Sequence, residues 1–186
     1  MPGAGGILLR VENRSRARVR RRLRSLAALE LLNVPLQAFL WFGMLFLPVT
    51  AANTVGFGLF VLLLLEGAGY WLAKLRQIEA PGAPLPAAGV FAAARTANAV
   101  LLAAGVLFTA RAVADDPGSG TWPGLGFALF AVLEHVNYFH LQLMYDTAAD
   151  LRMLRRHGPR RSHLSRDLAA ARDRRSRKPS PASPEP

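Results

Sequence analysis

Four long apolar blocks, 26–47, 54–73, 87–110 and 122–145, constrain this chain more than any other feature. Each holds 20 to 24 residues, the length that carries a helix across about 30 Å of hydrocarbon at about 1.5 Å per residue. Joined by short connections within 186 residues, they are too apolar in total for a water-soluble fold. They predict four membrane-spanning helices. Short connections also place successive spans antiparallel. The expected fold is therefore an all-α membrane protein, an antiparallel up-down bundle of four transmembrane helices with short amphipathic basic cytoplasmic helices.

A formal net charge of +11 would point to nucleic acid in a soluble protein. Its distribution points elsewhere. Eight arginines fall within 10–24 and eleven Lys or Arg within 152–178. Of the remaining four, Lys74 and Arg76 close the second block, Arg95 begins the third and Arg111 ends it. Basic residues thus flank alternate ends of the spans, the positive-inside pattern. It predicts both termini and the 77–86 loop in the cytoplasm, with 48–53 and 114–121 outside. The chain divides into a basic N-terminal segment (1–24), a transmembrane domain (25–146), a basic helical segment (147–178) and a Pro/Ser-rich disordered tail (179–186).

The basic runs Arg20, Arg21, Arg22, Arg24 and Arg155, Arg156, Arg160, Arg161 suit an anionic inner leaflet, at about 1 kcal/mol per residue near the surface. They lack the interleaved aromatics of a nucleic-acid site. There is no cysteine, which excludes disulfides, thiolate ligands and Cys nucleophiles. Of 23 basic residues 21 are Arg, which with abundant Ala and Gly suggests a GC-rich bacterial genome. The expected location is the bacterial cytoplasmic membrane. Val49-Thr-Ala51 resembles a signal-peptidase site, but the preceding run is too long and too polar, so the first helix is expected to be retained.

Polar residues recur inside the apolar blocks. Glu30, Asn33, Gln37 and Trp41 are spaced by three, four and four and share one helix face, with Pro35 among them as an expected kink. The second block carries Glu66, and Tyr70 and Trp71 mark its interface. The third is alanine-rich, which permits close helix approach, and carries Arg95, Asn98 and Thr109. In the fourth, Glu134, Asn137, Tyr138, Leu141 and Tyr145 share a face with His140 at its edge, while His135 and Gln142 lie on a flank. The last helix is expected to continue through 146–156 and stop at Gly158-Pro159. Ser162 then caps a second helix bearing Leu164, Leu168 and Ala171.

Measured along each helix, Glu30, Glu66 and Arg95 lie roughly 9–12 Å from the inner ends. Asn137 and His140 fall near that level, with Glu134 about 5 Å deeper. The candidate site is this layer: Glu30, Asn33, Gln37, Glu66, Arg95, Asn98, Glu134, Asn137 and His140. Three carboxylates against one guanidinium leave an unbalanced negative charge in a low-dielectric interior. A carboxyl is then protonated, a histidine is cationic, or a cation is bound.

The structural resolution pairs Arg95 with one carboxylate and lets the rest hydrogen-bond between helices, at about 0.6 kcal/mol each. The alternatives are a proton or cation pathway and a metal or haem site. Di-iron bundles use Glu-x-x-His pairs, whereas Glu134-x-x-Asn137 offers an amide. His135 or His140 could bind haem, but no paired axial histidine stands on another span. No cofactor and no catalytic residue is predicted, since nucleophile–base pairs, Gly-rich phosphate loops and zinc-helix motifs are missing from the sequence.

The run from Glu134 to Asp146, with 161–168 after it, resembles a pattern in small, uncharacterised bacterial four-helix membrane proteins. That resemblance covers the last third of the chain and implies a fold and a membrane location, without an activity. The expected function is non-enzymatic: a polar core that specifies helix packing and basic ends that contact inner-leaflet lipid or a partner. The alternative is a small proton- or cation-coupled transporter or channel, and the third reading a metal- or haem-dependent membrane oxidoreductase. Four helices enclose little volume, which favours a homo-oligomer or a partner membrane protein.

Overall fold

The computed structural model describes residues 4–80, 82–141 and 161–176. Among these there is no strand. The elements are α1 (Ala4–Ala38), a π-helical turn (Phe39–Met44), α2 (Ala51–Glu79), α3 (Ala88–Asp115), α4 (Trp122–Phe139) and α5 (His163–Ser176). Three segments are long and apolar enough to cross a membrane, as a multi-pass membrane protein requires: Arg14–Met44, Ala51–Glu79 and Ala88–Asp115. Large apolar side chains stay exposed along them, among them Leu29, Leu32, Phe39, Val100 and Leu107. The chain forms two compact units, Met1–Pro48 with Val61–Pro86, and Val49–Phe60 with Ala87–Pro186.

In the first unit the basic N-terminal segment is not a separate element, because α1 runs unbroken from Ala4 through it into the first apolar block. Pro35 lies inside α1. It lacks an N–H and crowds the carbonyl four residues back. The helix continues past it, and the irregularity comes one turn later, where Leu45 N–H bonds to Leu40 O at 2.9 Å, a five-residue step. Arg20 Nε stands 3.5 Å from Glu79 Oε1. The arginine-rich part of α1 therefore lies beside the end of α2, as in an antiparallel pair. Both side chains are nearly half exposed, so this contact adds less than about 1 kcal/mol.

In the second unit the first turns of α2 meet α4 through an aromatic cluster. Phe57 and Phe127 pack edge to face at 5.2 Å, and Phe60 lies 5.9 Å from Phe127 and 5.6 Å from Phe130. α3 packs along α4, and α5 touches both.

Helix α4 is shorter than the expected 122–145 span. Its last helical residue is Phe139, and His140 turns out of the helix. The reason is the capture of its terminal carbonyls: Ser162 Oγ donates to Tyr138 O at 2.5 Å and Ser162 N–H to His140 O at 3.1 Å. These oxygens would otherwise lack partners at a helix end. Leu141 and Arg161 pair as an isolated bridge. The expected continuation through 146–156 lies outside the described residues, as do Gln142, Tyr145 and the 179–186 tail. Ser162 also accepts from Ser165 N–H at 3.1 Å, capping α5 as its sequence position suggests.

Candidate functional site

The nine residues of the expected polar layer fall in both units. Glu30, Asn33, Gln37 and Glu66 belong to the first; Arg95, Asn98, Glu134, Asn137 and His140 belong to the second.

In the first unit the four-residue spacing on α1 produces a ladder. Trp41 Nε1 donates to Gln37 Oε1 at 2.9 Å, and Gln37 Nε2 donates to Asn33 Oδ1 at 3.3 Å. Each amide serves as acceptor for the residue one turn later, the geometry of i, i+4 pairs. Glu30 and Glu66 are half-buried.

In the second unit the two histidines differ in burial. His135, assigned from the sequence to a flank, is the buried one, with 6% of its surface exposed. Its ring centre lies 4.9 Å from that of Phe139 and 5.5 Å from that of His140, both tilted contacts, and its Nδ1 has no hydrogen-bond partner among the described residues. His140 is exposed just past the end of α4. Asn98 is buried, and Glu134 and Asn137 are half-buried.

Arg95 departs furthest from expectation. It was the cation meant to neutralise a carboxylate, yet it forms no ion pair among the described residues. Its exposed side chain lines a cavity of about 700 Å³ between α3 and α5, together with Arg161 and Arg172. A long guanidinium stem allows this escape, because the charged head can leave an apolar helix face while its methylenes stay on it.

A further polar site lies where sequence reasoning assigned a loop. Thr50 caps α2 by accepting from Asn53 N–H at 3.2 Å, and its hydroxyl donates to Gly120 O. Asn53 is fully buried. Its Nδ2 donates to Ser119 O at 3.0 Å, and its Oδ1 accepts from Gly124 N–H at 2.8 Å. Gly124 stands in the first turn of α4, where N–H groups have no partner within their own helix. Asn53 thus supplies a cap from another helix. Backbones meet at the same place: a Cβ on Gly56 would overlap Gly124 O, and one on Gly124 would overlap Ala52 O. The readable signal was a pair of glycines in apolar surroundings, the small-residue mark of close helix approach.

Among the basic residues expected to touch lipid, Arg20, Arg21, Arg22, Arg24 and Arg161 are exposed. Arg155, Arg156 and Arg160 lie outside the described residues. Among the described residues no three of His, Asp and Glu come together as metal ligands would. No protein-family model, curated protein or solved structure matches this chain.

Proposed function

We propose that this is a non-enzymatic integral protein of a bacterial cytoplasmic membrane, crossing four times with both termini inside. Its intramembrane polar groups join helices, and its basic ends bind the anionic inner leaflet or a partner. In this reading α4 is the fourth crossing. Its 18 residues reach about 27 Å, close to the hydrocarbon thickness. It also starts beside the start of α2, through Asn53 and Gly124, as a second crossing in the same direction would.

The observation that carries the reading is the use made of Asn53. A fully buried amide in an apolar surrounding spends both ends on the backbone of another segment. Polar residues used in this way specify packing.

The test compares Glu66→Gln and Glu134→Gln with wild type in detergent and in liposomes. Lower melting temperatures with unchanged proton and cation permeability are expected. Loss of a pH-dependent flux in either variant would replace this reading with a proton- or cation-coupled carrier. The native chain has no cysteine, so single cysteines at positions 49, 82 and 118 report sidedness without background. Labelling of 49 and 118 from outside and 82 from inside is expected.

A further inference from the structure

We infer that the cavity between α3 and α5 is a binding site for a phosphate-bearing anion. Its wall combines Arg95 and Thr96 from α3 with Arg161, Ser165, Arg172 and Asp173 from α5 and its approach. Three guanidinium groups against one carboxylate leave a net charge of +2 in one concavity. Like charges brought together repel, and each arginine lacks an ion-pair partner among the described residues. An anion that enters relieves this repulsion and gains charge-assisted, two-pronged hydrogen bonds from the planar guanidiniums.

Other features narrow the ligand. Two hydroxyls, of Thr96 and Ser165, can donate to further oxygens, so the wall suits a tetrahedral anion with several acceptors better than a lone carboxylate. The first turn of α3 lies on the same wall. Its cap residue Ala87 offers no side-chain hydrogen bond, and a helix N-terminus carries a partial positive charge. Leu168 and Ala92 form an apolar part of the wall. The cavity, at about 700 Å³, has the size of a small-molecule site.

Position gives the arginines their specificity. Arg95 comes from an apolar helix and Arg172 from the third turn of α5, so only the docking of α5 unites them. That docking is built, since Ser162 bonds to both α4 and α5 and Leu164 is buried. This separates the site from the run at Arg20–Arg24, which lies along the single helix α1. The phosphate could belong to a lipid headgroup or to a soluble phosphate ester. The lipid source rests on the membrane reading proposed above, whereas the site itself does not.

The experiment uses the full chain in a neutral detergent, titrated with dioctanoyl phosphatidic acid, dioctanoyl phosphatidylcholine or inorganic phosphate, with calorimetric and melting readouts. Saturable binding of phosphatidic acid is expected, weakened about tenfold by Arg95→Gln or Arg172→Gln. Arg21→Gln with Arg22→Gln removes twice that charge elsewhere and should still leave binding within about twofold. As a measurement independent of variant folding, phenylglyoxal modification of wild-type Arg95 and Arg172, read by mass spectrometry, should slow when phosphatidic acid is bound. Phosphatidic acid binding far above inorganic phosphate assigns the lipid source, and equal binding of the two assigns a soluble phosphate ester; either supports the site. Equal loss in the Arg21/Arg22 control, or no protection of Arg95 and Arg172, overturns it. Such failure leaves the sidedness labelling untouched, so the membrane reading stands or falls separately.

Discussion

The two ends of the second unit handle polar groups in opposite ways. Where α2 and α4 begin, Thr50 and Asn53 bond to backbone atoms, and glycines let the chains touch. Where α3 begins and α5 packs, three guanidiniums surround open space and pair with no described carboxylate. The first arrangement is closed and serves folding. The second holds surplus charge and volume, which is what a ligand can use. The difference suggests a rule for this chain: polar residues bonded to backbone hold helices together, and like charges gathered around open space await something else.

The most damaging way to break the comparison is at the closed end. Gly124→Val places a branched side chain against the carbonyl of Ala52, which is backbone and cannot swing aside. A loss of at least about 3 kcal/mol is expected, read as a collapse of the melting transition in detergent. Asn53→Leu keeps a similar volume and removes both hydrogen bonds. It strands Gly124 N–H and Ser119 C=O, each deprived of its partner in a poorly hydrated place. About 2–3 kcal/mol should be lost. A normal melt in either variant would show that the closed end is not what joins α2 to α4.

Intermediate effects belong to the open end and to the joint of α4 with α5 that builds it. Ser162→Ala removes the cap of α5 and the hydroxyl bond to Tyr138 O, while its own N–H can still reach His140 O. About 1–2 kcal/mol is expected, and the phosphate affinity should fall with it, because Arg161 and Arg172 depend on the docking of α5. Arg95→Gln should behave in the contrary sense. It removes a like charge from the cavity, so the melting temperature in the absence of ligand should hold within about 0.5 kcal/mol or rise. A large fall would mean that Arg95 supports the fold.

What could be read in the sequence was local. The lengths of the apolar blocks gave the helices, since a helical run depends on nearby residues. The Asn33–Gln37–Trp41 face followed from four-residue spacing, and the Ser162 cap from its place before an amphipathic run. The failures all involve distance. Asn53 looked like part of an outer turn because its partners Ser119 and Gly124 are 66 and 71 residues away. Helix α4 was carried past Phe139 because the group that ends it, Ser162, lies 24 residues beyond Tyr138. Arg95 was paired with a carboxylate on charge balance alone, when the docking of α5 sets it among other arginines.

The smallest expected effect is also the sharpest control. Arg111 and Asp115 form a 2.9 Å ion pair near the end of α3, with 78% and 55% of their side-chain surfaces exposed. Water screens such a pair, and holding two flexible side chains in one geometry offsets part of its attraction. The order is also unfavourable, with the carboxylate placed toward the negative end of the helix dipole. Asp115→Asn should therefore shift stability by no more than about 0.3 kcal/mol. That shift should shrink further in high salt, and phosphate binding at the cavity should be unchanged. A drop comparable to that of Asn53→Leu, abolished by salt, would mean that charge stabilises this part of the molecule as well. The contrast between a closed, backbone-bonded end and an open, charged one would then have to be abandoned.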